Sequence, residues 1–202
     1  MVDRLNQEYG NRVELSWSAF ELRPEPVPLP PPRDPARVQR WRESVLPMAA
    51  DRGLVLKLPP VAPRTRLTFQ AVEIARDQGK FDALHRAIFR AFFADGRDIG
   101  EARVLADLGA SAGLDPAELE RALETNAYLP RVLAQEQLAH DIGVTGVPAM
   151  FVGDDLRTAE PVIGAVPYER LAAAVDRAFS GESLDWRRRA LRSAIPLNDR
   201  RD

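Results

Sequence analysis

The chain contains no cysteine. A disulfide framework, a thiolate metal site and a cysteine nucleophile are excluded together. Histidine is scarce: His85 and His140 are the only two, so no metal site is expected. Long hydrophobic runs are missing too, and none approaches the length of about 20 residues that spans a bilayer. Met1 to Tyr9 places Asp3, Arg4 and Glu8 where a secretory leader needs an apolar run, so the expected compartment is the cytoplasm. Neither sign of charge prevails, with 28 basic and 30 acidic residues and a net charge of −2. That balance predicts no nucleic acid and no membrane as partner. Arg187, Arg188 and Arg189, with Arg192, Arg200 and Arg201, form the densest basic cluster. Acidic residues flank it and no aromatic platform accompanies it, so it reads as a solvated tail.

What remains is ordinary globular composition, 45% hydrophobic and 29% charged over 202 residues. This length suits one domain, or a small domain with an insertion, and buries a core without staples. Val2, Leu5 and Tyr9 share a helical face that Gly10 ends. Arg12 to Trp17 alternates Val13, Leu15 and Trp17 against Glu14 and Ser16, which predicts a strand. The proline-dense stretch Arg23 to Pro32 predicts an extended connection with no ladder.

Asp34-Pro35 is a cap followed by proline at the first helical position. The helix it opens should run toward Val45, with Pro47 ending or kinking it. Leu54 to Leu58 is a short extended piece. A helical block follows, its apolar stripes starting at Leu67, Phe81, Val104, Leu119 and Leu129 and its stops at Gly79, Gly96, Gly113 and Gly143. Asp115-Pro116 caps the fourth of these helices. Ala149 to Val152 and Glu160 to Ile163 then read as a hairpin across Gly153, Asp154 and Asp155. Pro167 opens a last helix carrying Tyr168, Leu171, Val175 and Phe179.

The sharpest local signal is Gly143-Val144-Thr145-Gly146-Val147-Pro148, directly before a strand. Proline cannot donate to a ladder, so at a strand entrance it sits at an edge or a bend. Two readings are open from these residues alone. One is an ordinary trans Val-Pro boundary. The other is a cis Val-Pro loop held by packing, since the trans preference at proline is only about 0.5–1 kcal/mol.

Several stretches, taken in order, resemble the DsbA-like family of thioredoxin-fold oxidoreductases. The branch is the one related to hydroxychromene carboxylate isomerases and cytoplasmic or actinobacterial disulfide oxidoreductases. The stretches are Val13 to Phe20 with Leu22-Arg23-Pro24, Lys80-Phe81 through Phe93, Gly96-Arg97-Asp98-Ile99 and Gly113-Leu114-Asp115. Gly143 to Pro148 and Gly164-Ala165-Val166-Pro167-Tyr168 complete the set. The resemblance implies an α/β thioredoxin-like fold with an all-helical insertion. Its expected parts are an N-terminal portion of the core over 1–60, the insertion over 61–142, a C-terminal portion over 143–180 and a charged tail over 181–202. It also implies that Thr145, Gly146, Val147 and Pro148 dock an extended substrate, with Trp17, Phe20 and His85 lining a cleft.

The departure from the family is at the start. The family opens with a central strand and a Cys-x-x-Cys, or a serine in the isomerase branch, at the next helix N-terminus. A helix N-terminus stabilises a thiolate there. Met1 falls within that expected helix, so the first core strand and the motif are missing and no residue present is a catalytic candidate. A reading frame that starts further upstream and a true remnant are both open explanations.

Three functions follow as expectations. The first is a thiol–disulfide oxidoreductase family member that is redox-inactive as written. The second is a glutathione-linked isomerase or transferase, with glutathione its only expected cofactor. The third is a non-catalytic protein that binds peptides. The expected partner is an extended peptide or thiol substrate, and a homodimer is the open assembly. Beside its cleft role, His85 has a plainer reading as a helix-surface or packing side chain. His140 reads as a cation at a helix end.

Overall fold

The computed structural model describes residues 1–32 and 34–181. The predicted charged tail, with its arginines, lies outside the described residues apart from Gly181. The described residues form two compact units, one of residues 1–20 with 138–181 and one within residues 21–137.

The first unit opens with α1 (Val2–Tyr9), which Gly10 ends at φ 59°. Its sheet is a hairpin of β1 (Ala149–Val152) and β2 (Glu160–Ile163), antiparallel with Ala149 opposite Ile163 and Val152 opposite Glu160. Asp155 builds the turn, its carboxylate accepting from Arg157 N and its carbonyl from Thr158 N and Ala159 N. α9 (Tyr168–Phe179) closes the unit. Leu5 and Tyr9 of α1 join Val162, Val166, Leu171 and Val175 in one buried cluster, with Met150 and Val152 against it. Polar pairs reinforce it: the Tyr9 hydroxyl donates to Asp176 at 2.8 Å and the Tyr168 hydroxyl to Glu8 at 2.5 Å. Burial, then the bond to Asp176, pushes the Tyr9 phenol up to about 12.

The second unit is helical. Asp34 caps α2 (Pro35–Arg40) by accepting from Arg37 N at 2.8 Å. A wide π turn (Trp41–Val45) leads into α3 (Leu46–Ala50). Pro47 does not end the helical run, which reaches Ala50. The wide turn just before Pro47 relaxes the clash and lost hydrogen bond that proline imposes. α4 (Arg66–Asp77), α5 (Phe81–Phe93), α6 (Ala102–Ser111) and α7 (Pro116–Glu124) follow, and α8 (Leu129–Asp141) completes the helical series. The apolar stripes of α4 to α7 meet in one core that includes Ile74, Leu84, Leu105, Leu119 and Leu123.

Two close fits mark this unit. A Cβ added at Gly109 of α6 would lie 2.4 Å from Leu119 Cδ2, so only glycine permits the approach of α7. The Glu21 carboxylate, 3% exposed, accepts both Arg66 Nε and Nη2, at 3.1 and 2.8 Å. No described helix is long and apolar enough to cross a membrane.

The predicted strand Arg12 to Trp17 is also corrected. Arg12 ends a short 3-10 turn (Gly10–Arg12), and among the described residues no strand lies between it and β1. Val13 is extended, at φ −123° and ψ 122°. Yet Leu15 and Trp17 are 37% and 39% exposed instead of facing inward. Alternation states which face a strand would bury. A ladder also needs a neighbouring strand, and β1–β2 is the only sheet among the described residues.

Candidate functional site

α8 ends where Gly143, at φ 83°, turns the chain back. Gly143 N donates to the His140 carbonyl and Val144 N to the Ala139 carbonyl, both at 2.9 Å. Val144 is buried, so the turn is anchored on both sides of the glycine. From there Thr145, Gly146, Val147 and Pro148 run over the surface, with Val147 52% exposed. The Val147–Pro148 bond is cis. Among the described residues, no hydrogen bond engages the backbone of Thr145, Gly146 or Val147.

The far side of the loop is fixed by the hairpin. Gly164 N donates to the Pro148 carbonyl at 2.8 Å, continuing the β1–β2 register by one step. That bond sets the phase of the ladder. Pro148, Met150 and Val152 turn their backbone groups toward β2, and Ala149 and Phe151 turn theirs away. On β2, Pro161 and Ile163 likewise face outward. Pro161 therefore costs the ladder nothing, because its missing N–H belongs to the outer edge.

The faces of the hairpin differ as well. Met150, Val152 and Val162 lie on the face toward the α1–α9 cluster. Ala149, Phe151, Pro161 and Ile163 lie on the other face, where Ile163 is 55% exposed. These outward groups were not among the residues singled out from the sequence. Pro161 was the signal that could have found them, since a proline inside a hairpin fixes which positions face away.

The remaining predicted residues fall in different places. Trp17 and Phe20 belong to the unit that carries the loop. The Phe20 ring packs against His140 with centroids 5.5 Å apart. His85 belongs to the helical unit, in a row of rings along α5. It stacks on Phe81 at 5.1 Å and tilts against Phe89 at 4.8 Å. Half-buried there, its imidazole is held below its usual value by desolvation. Asp82 opposes that shift, while Arg86 and Arg76 add to it. No group of three or more His, Asp or Glu among the described residues could hold a metal ion.

The site thus offers an anchored loop with free main-chain groups beside the outward backbone groups of Ala149 and Phe151, and no thiol. Comparisons with known proteins bear on what such a loop serves. Residues 1–176 match the family described as the DSBA-like thioredoxin domain. The chain is 35% identical over 151 residues to the uncharacterized protein YwbO of Bacillus subtilis (strain 168), covering 72% of this chain and 74% of that protein. It is similar to the crystal structure of the probable DsbA oxidoreductase SCO1869 from Streptomyces coelicolor, with 25% identity and a TM-score of 0.68. That match covers 88% of this chain and 81% of the other. A solved structure from Nitrosomonas europaea, at 19% identity and a TM-score of 0.69, covers 89% and 88% and supports the fold alone.

Proposed function

Because the chain belongs to the DSBA-like thioredoxin domain family, we propose that it binds an extended polypeptide or thiol-bearing substrate along Thr145–Pro148, and that these 202 residues do so without exchanging disulfides themselves. Thiol–disulfide exchange requires an attacking thiolate and a mixed disulfide. The sequence supplies no sulfur for either. Binding needs only what the loop has: backbone donors and acceptors free to pair with an extended chain, next to a strand that holds them in line. The observation that carries the reading is the unengaged backbone of Thr145, Gly146 and Val147 on a surface anchored at Val144 and Pro148. The proposed compartment is the cytoplasm, where a fold without disulfides loses nothing.

The test has two parts. In an insulin-reduction assay with dithiothreitol, the chain should match the blank, and turnover above it would sink the non-exchanging half. In a titration with a reduced, carboxymethylated polypeptide, dilute wild-type chain should bind. Val147→Pro, which removes the outward N–H, should weaken that binding about tenfold, the loss of one good hydrogen bond. Equal binding by a Val147→Pro variant with an unchanged melting curve rejects the loop as the site.

A further inference from the structure

We propose that Leu54–Leu58, with the cations around it, is a docking surface for an extended acidic segment of another protein. The surface lies wholly within the helical unit, between α3 and α4, and stands without the reading of Thr145–Pro148. Exposure alternates along it as an extended chain requires. Val55 and Lys57 face out, while Leu56 and Leu58 are half-buried. Val55 is 82% exposed and Leu54 beside it 55%. The half-exposed Phe89 ring lies 5.7 Å from Phe93, whose ring stacks on Trp41. Apolar side chains bared together in this way mark a contact surface, where a single one would mean nothing.

Two bonds pin the segment. Leu54 N donates to the Ala49 carbonyl of α3 at 2.9 Å, and Lys57 N to the Phe93 carbonyl of α5 at 2.8 Å. Among the described residues no hydrogen bond engages the backbone of Val55, Leu56 or Leu58. A backbone held in line with its middle unpaired offers what strand addition uses, a row of donors and acceptors.

Charge names the occupant. Residues 35–64 hold Arg37, Arg40, Arg42, Arg52, Lys57 and Arg64 against only Glu43 and Asp51, a local excess that the net charge of the whole chain conceals. Elsewhere in this unit arginines are matched: Arg66 to Glu21, and Arg131 to Asp77. Arg52 donates to the Met48 carbonyl instead. Arg52, Lys57 and Arg90, the last three residues before Phe93 on α5, have no carboxylate partner among the described residues. Val55 and Lys57 share one face, two residues apart. The complementary strand therefore sets an apolar residue against Val55 and an acid two residues on, against Lys57. A second copy of this chain does not fit, because a two-fold axis through the segment brings Lys57 toward its own counterpart.

Fluorescence anisotropy with a labelled, capped peptide that repeats Val-Ser-Glu-Ser tests this. That repeat places valine and glutamate alternately on one face of a strand. The wild type should bind it, about tenfold more weakly at about 500 mM than at about 50 mM salt, and should not bind the lysine counterpart Val-Ser-Lys-Ser. The double variant Arg52→Glu with Lys57→Glu should lose about tenfold or more in affinity with an unchanged melting curve. Val55→Asp, at an exposed position, should do the same. Val147→Pro should bind this peptide as the wild type does. No binding of the glutamate peptide overturns the proposal, as does equal binding of both peptides or equal binding by the folded variants. Capture by phosphatidylglycerol vesicles without peptide binding also overturns it, in favour of a lipid surface. Loss of the peptide in Val147→Pro alone assigns it to the Thr145–Pro148 loop and rejects this surface.

Discussion

Gly109 and Leu119 offer a quantitative test of how α6 and α7 pack. An alanine Cβ at position 109 would sit 2.4 Å from Leu119 Cδ2 and 3.2 Å from Leu114 Cδ1. Ordinary carbon contacts lie at about 3.5–4.0 Å, so more than about 1 Å of overlap must be relieved. Leu119 is fully buried and Leu114 is 4% exposed, which leaves neither side chain free to swing away. Overpacking of this kind costs about 1–3 kcal/mol. Replacing glycine by alanine inside a helix otherwise gains about 0.5–1 kcal/mol. Gly109→Ala alone should therefore lose about 1–2 kcal/mol. Leu119→Ala alone should lose about 2–5 kcal/mol through its cavity. In the double variant the clash is gone and the helix preference of alanine remains, so the pair should be coupled by about 2 kcal/mol. Urea unfolding of the four proteins at constant slope measures this. Additivity within about 0.5 kcal/mol would show that the two helices do not meet at Gly109.

Other predictions rest on charge. Arg66→Met strands the Glu21 carboxylate, 3% exposed, and should cost about 3–5 kcal/mol, whereas adding Glu21→Leu should recover most of it. Equal losses for the single and double variants would refute the desolvation argument. For His85 the folded imidazole titrates below the unfolded value of 6.5, so below that pH the unfolded chain binds more protons. The stability it confers is present above pH 6.5 and is lost as pH falls through the folded pKa. Melting temperatures between neutrality and mild acid should therefore fall less steeply for His85→Gln, and parallel curves would contradict the assigned burial.

The helices were legible because their ends are written locally. Asp34 and Asp115 each accept from a backbone N–H three residues on, and Gly143 takes the left-handed turn that stops α8. Arg12 to Trp17 misled for the opposite reason. Its alternation describes a face, and strand formation depends on a neighbour that no local pattern reports. Pro47 does not stop the helix because a π turn lies directly upstream of it. The loop Thr145–Pro148 was readable from two glycines and a proline before an apolar run. The outward groups of Ala149 and Phe151 were not, since their direction depends on the hairpin phase that the Gly164–Pro148 bond reveals. The pairing of Glu21 with Arg66 spans 45 residues and leaves no periodic trace.

Pro161 decides how far any assembly built on this hairpin can grow. A strand added at β1 turns an outer edge into an interior one and leaves β2 as the new boundary. Whatever strand pairs with β1, that β2 boundary carries Pro161, which cannot donate. The sheet is therefore blunted on that side, with one imino acid acting as the chain-stopper.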